Sequence, residues 1–204
     1  MRDLPNVVSR KGLDFYWVYR DEEGQATALV ARYRDPKGVT KKRFHQYRLC
    51  KEGQWVEGAP TPLPLYGIDS LPKSHSEQKV YILEGEKCAT AAHHLGLPAI
   101  TSMMGSSQAA YADWAILAKY RHINEFVLVP DNDEPGHKYI ETIFKEIQKA
   151  CPHVKISVCQ LPAQDKGDDL VEWILLTNAE NRPPKNHREP AIWRFHLFSQ
   201  LTII

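Results

Sequence analysis

Cysteine is scarce in this chain and scattered where it occurs. The four present, Cys50, Cys88, Cys151 and Cys159, form no CxxC pair and have no histidine at zinc-finger spacing. A structural zinc site and a disulfide framework therefore have no support. Long apolar runs are also missing, and none approaches the roughly 18 residues needed to span a bilayer. The opening Met1-Arg2-Asp3-Leu4-Pro5 lacks the apolar stretch of a secretory signal. These absences point to the cytoplasm. There are no repeats or low-complexity tracts, and no excess of one charge: the net charge is +1. Any electrostatic preference must come from how the charges are distributed.

What is present is ordinary globular material. Apolar residues make up 43% and charged residues 25% of 204 residues, enough for one large domain or two small ones. Residues 12–66 read as short strands with turns. Phe15-Tyr16-Trp17-Val18-Tyr19, Ala28-Leu29-Val30-Ala31-Arg32-Tyr33 and Arg43-Phe44-His45-Gln46-Tyr47-Arg48 are rich in aromatic and β-branched residues, with turns at Asp21–Gly24 and Asp35–Gly38 between them. From Lys79 the pattern becomes strand–helix alternation. Strands are expected at Val80–Leu83, Pro98–Thr101, Glu125–Val129 and Lys155–Cys159. Cys88, Ala91, Ala92 and Leu95 mark a first helix, with Gly96 at its C-terminal cap; on that apolar face a packing role suits Cys88. Ala110, Trp114 and Leu117 mark a second helix. Ile140, Ile143, Phe144 and Ile147 give a third, with Pro135 in its first turn, and Leu170, Trp173 and Ile174 a short last one. The expected fold is α/β, a mostly parallel sheet flanked by helices, preceded by a small β-rich basic region. The expected divisions are 1–76, 77–178 and a tail, or the start of a further domain, at 179–204.

Parallel α/β sheets bind ligands at the carboxyl ends of their strands. Three such ends here are acidic: Glu84-Gly85-Glu86, Asp131-Asn132-Asp133-Glu134, and Asp168-Asp169 after Lys166-Gly167. Any one of these acids alone reads as a helix cap. Three acidic loops on one edge, with Asp-x-Asp in the middle one, read better as a metal site. Crowded carboxylates raise one another's pKa unless a cation sits among them, and all-oxygen ligands favour Mg²⁺ or Mn²⁺. Gly85 and Gly136 suit tight turns beside the site, Gly105-Ser106-Ser107 can offer N–H groups to a phosphate, and Lys87 can supply positive charge.

The order of these motifs resembles the TOPRIM domain shared by bacterial-type primases, type I and II topoisomerases and several nucleases. Val80-Tyr81-Ile82-Leu83-Glu84-Gly85-Glu86-Lys87 with Val129-Pro130-Asp131-Asn132-Asp133-Glu134-Pro135-Gly136 is similar to TOPRIM segments of phage and mobile-element primases, and the likeness spans roughly residues 79–177. It implies Glu84 as general base or acid, Asp131 and Asp133 as metal ligands, and Asp168 or Asp169 completing the site. In one respect the chain departs from the pattern: where some bacterial primases carry an aspartate four residues after the glutamate, Cys88 stands here.

Between Arg32 and Arg48 the chain carries Arg32, Arg34, Lys37, Lys41, Lys42, Arg43 and Arg48 against Asp35 alone, with Tyr33, Phe44, His45 and Tyr47 interleaved. Basic side chains meet phosphates and aromatic faces stack on unpaired bases; a solvated basic hairpin is the plainer alternative. Taken with the resemblance, the leading expectation is a DNA primase type of nucleotidyltransferase, making primers on single-stranded DNA from nucleoside triphosphates with Mg²⁺ or Mn²⁺, and with a replicative helicase as a further partner. A TOPRIM nuclease and a catalytically weak binding module of a primase–helicase are the alternatives. A topoisomerase would need a tyrosine nucleophile and large gating domains. A phosphate-signalling receiver would need an aspartate, not Glu84, after the first strand.

Overall fold

The computed structural model describes residues 4–34, 42–73, 78–161, 165–180 and 202–203. The turn expected at Asp35–Gly38, Lys41, and most of the C-terminal tail lie outside the described residues. Two sheets are present. The first is an antiparallel meander in the order β1 (Leu13–Arg20), β2 (Ala26–Tyr33), β3 (Arg43–Leu49) and β4 (Trp55–Glu57). The Asp21–Gly24 turn forms as expected, with Asp21 Oδ1 accepting from the backbone N–H groups of Glu23 and Gln25, the local bonding that makes Asp a turn former. Strand alternation splits the apolar residues of this sheet between two faces. Leu29, Ala31, Tyr33 and Tyr47 pack under Leu4 and Val8. Trp17, Tyr19, Ala28 and Val30 face Leu63 and Met103, toward the second sheet.

The second sheet runs β10 (Thr202–Ile203), β9 (Lys155–Gln160), β8 (Ile123–Val129), β6 (Gln78–Leu83), β7 (Ala99–Ser102) and β5 (Leu65–Tyr66). Its four inner strands are parallel and its two edge strands antiparallel. The sheet thus draws one strand, β5, from before residue 76. Parallel strands covered on both faces read as continuous apolar runs, and β8 shows why. Phe126 and Leu128 point to one core, with Val80, Ile82 and the helix α2 (Glu134–Ala150); Val127 and Val129 point to the other, with α1 (Gly85–His94) and α3 (Leu170–Glu180). Each large side chain buried in this way contributes about 1.5–3 kcal/mol relative to exposure.

Two expectations about the helices are corrected. The stretch expected as a second α-helix is three short 3-10 turns, Gly105–Ser107, Ala109–Tyr111 and Trp114–Lys119. Leu63 is the cause: its N–H bonds Tyr111 O and its carbonyl accepts from Asp113 N, which takes the backbone at 111–113 away from helical pairing. In α2 the buried stripe is Tyr139, Ile143 and Ile147, whereas Phe144 is 40% exposed. Pro135 does lie in the first turn of α2, and Gly96 follows α1 with φ 76°. Among the described residues no helix is long and apolar enough to cross a membrane.

Candidate metal and phosphate site

The ends of β6, β8 and β9 bring the three acidic loops to one edge. Glu84 follows β6 in extended backbone and opens α1, and Gly85 turns the chain with φ 78°, a conformation that favours glycine. Asp133 caps α2, its Oδ1 accepting from Gly136 N at 2.8 Å. Gly136 is needed for a different reason: a Cβ there would lie 2.5 Å from the carbonyl oxygen of Asp131. The second and third loops are stitched together. Asn132 N donates to Asp168 O and Gly167 N to Asn132 O, both at 2.9 Å, and Asn132 Nδ2 reaches Asp165 O.

A buried hydroxyl holds the first loop. Tyr139 on α2 is fully buried; its hydroxyl donates to Leu83 O, accepts from Ser102 N, and lies 3.0 Å from both Thr101 Oγ1 and Ser102 Oγ. Thr101 Oγ1 in turn accepts from Gly85 N at 3.1 Å. The glutamate loop is thereby pinned to β7 and α2. Sequence reading missed this network, since no local pattern ties Tyr139 to residues 37 and 38 positions earlier.

The carboxylates do not share one fate. Asp131 is pushed up to about 8, first by burial and then by the charges of Glu84, Asp169 and Asp133, against which Lys87 pulls. Glu84 is raised by burial and by Asp133, against hydrogen bonding from Ser106, and its Oε2 is buried with no hydrogen-bond partner. A Cβ on Gly105 would stand 3.8 Å from Glu84 Oε1, so the Gly105–Ser106 turn does lie beside Glu84. The third loop is occupied by its own structure. Asp168 Oδ2 accepts from Asp165 N, and Asp169 Oδ1 accepts from Val171 N and Glu172 N. Lys87 Nζ bridges Asp169 Oδ2 at 2.8 Å and Glu172 Oε1 at 2.9 Å. Burial disfavours the lysine's charge, but these two partners outweigh it and hold its pKa above the ordinary value. Of the pair Asp168 and Asp169, it is Asp169 whose charge reaches Asp131. Burial and nearby Asp169 and Asp131 push the Cys88 thiol far up, so it is an inert packing group in the core beneath α1.

Among the described residues no three His, Cys, Asp or Glu side chains form a ready-made metal cage. The donor set nevertheless suits a hard divalent cation. It is all oxygen, it holds an unpartnered buried carboxylate oxygen on Glu84, and its members repel one another. Mg²⁺ keeps several waters and uses one or two carboxylates plus substrate phosphates, so a partial cage is its usual host.

The basic stretch is reorganised by the register of β2 and β3. Tyr33 and Tyr47 are buried, Tyr33 donating to Ser9 O, and His45 pairs with Glu57. Of the interleaved aromatics, Phe44 alone shares a face with Arg32. Arg32 is held by Asp14 at 2.7 Å and lies over the Trp17 ring; Arg34 pairs with the same Asp14. Lys42 and Arg43 are exposed, Arg43 on the opposite face from Arg32, and Arg48 Nη1 reaches Glu57 O. The two sheets meet at Tyr19, whose buried hydroxyl donates to Glu86 Oε1 at 2.7 Å. Burial raises Glu86, and Tyr19 and Arg32 work the other way.

A family profile described as Toprim-like matches residues 81–173, the stretch that carries this carboxylate edge. The chain carries a TOPRIM domain that resembles those of primases. Comparison with curated proteins finds no match to this chain. Among solved structures, the primase fragment of the bacteriophage T7 primase-helicase protein is 22% identical with a TM-score of 0.56, covering 81% of this chain and 58% of that one. A DNA primase domain from Pseudomonas aeruginosa is 16% identical with a TM-score of 0.58, over 92% of this chain and 51% of that one. The Aquifex aeolicus primase, comprising zinc-binding and RNA polymerase domains, is 13% identical with a TM-score of 0.55, over 92% and 40%. The chain thus spans between 40% and 58% of these structures. At these identities the likeness establishes the fold.

Proposed function

We propose that this chain is the core of a primase-related enzyme that joins nucleotides on a single-stranded DNA template. The observation that carries the reading is the juxtaposition of Asp131, pushed up to about 8 by burial and then by its acidic neighbours, with a Glu84 oxygen that has no partner. Fixed charges left unsatisfied at one edge of a sheet mark a place where substrate and cation complete the structure. Asp131 and Asp133 would hold Mg²⁺ or Mn²⁺, with Asp169, whose charge reaches Asp131, as the member of the third pair that completes the site. When bound, such an ion neutralises charge on a transferring phosphoryl group.

The chain's own residues supply the rest. Glu84, pinned through Gly85 to Thr101 and Tyr139, offers Oε2 to accept the proton of the attacking hydroxyl. The Gly105–Ser106 turn, whose Ser106 hydrogen-bonds Glu84, would lie beside the phosphates, while Lys87 keeps Asp169 in place ahead of α3. Arg34, Lys42, Arg43 and Arg48, with Arg32 behind them and Lys41 in the same stretch, draw the template strand toward an edge that would otherwise repel it. A helicase partner and nucleoside triphosphates belong to the same reading. The lack of a ready-made cage and the engagement of Asp169 by Lys87 favour a second reading, a binding module with weak catalysis.

The test is one gel assay with end-labelled single-stranded DNA, differently labelled nucleoside triphosphates and Mn²⁺, comparing wild type with Asp131→Asn. New short products from the wild type alone support primer synthesis. Shortened DNA alone points to a nuclease, and neither product to the binding module.

A further inference from the structure

The register of the first sheet creates an arrangement that composition does not reveal. Arg32 in the middle strand pairs with Phe15 on one side and Phe44 on the other. Directly paired residues share a face of a sheet, so the three form an aromatic–arginine–aromatic row across β1, β2 and β3. The face is the one carrying Trp17, Tyr19, Ala28 and Val30. At its Tyr19 end it is closed by Tyr66 and Met103; at the row the two rings are open, Phe15 46% and Phe44 47% exposed, with the Arg32 side chain 14% exposed between them.

The row is fixed rather than loose. Arg32 is anchored by Asp14 and its guanidinium lies 5.3 Å above the centre of the Trp17 ring. Phe15 rests on that ring too, centroid to centroid 4.9 Å. The flat surfaces are thus ordered before any ligand arrives, which lowers the entropy lost on binding. The charge around the row is positive: Arg34 and Lys42 flank this end of the sheet. The acids that face it are already taken, Asp14 by Arg32 and Arg34, and Glu86 by Tyr19. The same face leads toward the carboxylate edge, because Met103 packs with Trp17 and the following Gly105 abuts Glu84.

Planar apolar faces bordered by cations fit a ligand with flat rings on an anionic backbone. We propose that Phe15, Arg32 and Phe44 form a stacking platform for unpaired bases of a single-stranded nucleic acid. The platform rests on the nucleic-acid reading above and adds the part of the strand that is recognised: the bases, as distinct from the phosphates. A second copy of this chain is the competing occupant.

The experiment measures anisotropy of the full chain with a labelled oligothymidylate of about twelve nucleotides and an abasic strand of the same length. The platform requires wild type to prefer the thymidine strand by about tenfold or more. Phe15→Ala/Phe44→Ala should erase that preference while leaving the abasic affinity and its salt dependence unchanged. Phe15→Leu/Phe44→Leu keeps apolar bulk on the strands, so with an unchanged melting temperature it should lose the preference too. Equal binding of both strands by wild type overturns the platform and leaves phosphate-driven binding intact. No binding of either strand overturns the underlying reading and the platform with it. A concentration-dependent dimer that the leucine variant loses, with no base preference, assigns the face to a second copy and overturns the platform.

Discussion

The antiparallel sheet and the carboxyl edge of the parallel sheet treat their charged side chains in opposite ways. In the antiparallel sheet Asp14 binds two arginines, Glu57 takes His45, and Tyr33 gives its hydroxyl to a backbone carbonyl. At the carboxyl edge of the parallel sheet Glu84, Asp131 and Asp133 form no ion pair among the described residues, and the nearby lysine serves Asp169 and Glu172 instead. A chain able to pair its charges in one half leaves three carboxylates to repel each other in the other half. The imbalance lowers stability at that edge, and an external cation is what would relieve it.

The sharpest way to break this contrast is Asp131→Asn. Divalent-metal-dependent turnover is expected to fall by about 100-fold or more, while the metal-free protein melts no lower than wild type because a repelling charge is gone. Retained activity would move the metal site elsewhere. Next in size is a matched pair of hydroxyl deletions read by denaturant unfolding. Tyr139→Phe leaves the Ser102 N–H, the Leu83 carbonyl and two side-chain hydroxyls short of a buried partner, so it should cost about 1–3 kcal/mol. Tyr33→Phe removes one bond to Ser9 O and should cost about 0.5–1.5 kcal/mol. Equal costs would mean that the Tyr139 network does not specially brace the glutamate loop.

The pH dependence follows from Asp131. Its folded value of about 8 lies above that of an unfolded aspartate, roughly 4. Between those values the folded state binds more protons, so the metal-free protein should lose stability as pH rises from about 4 to about 8. Partial exposure screens the effect, and a fall of a few degrees in melting temperature is expected, flattened by Mn²⁺ and absent in Asp131→Asn. A slope surviving in that variant would assign it to another group. The smallest effect concerns the paired half. Arg34→Ala removes an exposed partner of Asp14 and should change stability by less than about 1 kcal/mol. Replacing Lys41, Lys42 and Arg43 with alanine should leave melting unchanged and reduce the salt slope of single-strand binding by up to about 2. An unchanged slope would make that stretch an ordinary solvated surface.

Much of this was legible in the sequence, for a physical reason. A parallel sheet buried on both faces forces runs such as Phe126–Val129, and its carboxyl ends put Glu84, Asp131 and the Asp168–Asp169 pair on one edge, but do not decide which of that pair lies nearer Asp131. Pairing across long separations was not legible. Leu63 reaching 111–113, Tyr139 reaching Thr101, and Lys87 pairing with Asp169 depend on tertiary contact and leave no local period. The basic stretch was legible in composition and not in arrangement. Its composition was read without its register, and a period of two distributes Arg32 with Phe44 to one face but Tyr33, His45 and Tyr47 to the other.

The hydrogen bond from Tyr19 to Glu86 has a consequence for how a strand would enter. Tyr19 is fully buried, Glu86 is half-buried, and Glu86 is two residues from Glu84. Swinging the sheets apart would exchange that bond for water and uncover the apolar contacts that Trp17, Tyr19 and Val30 share with Leu63 and Met103, so the closed arrangement is the favoured one. Under the proposed reading a single strand would then meet the antiparallel sheet as a surface already in place beside the carboxylates.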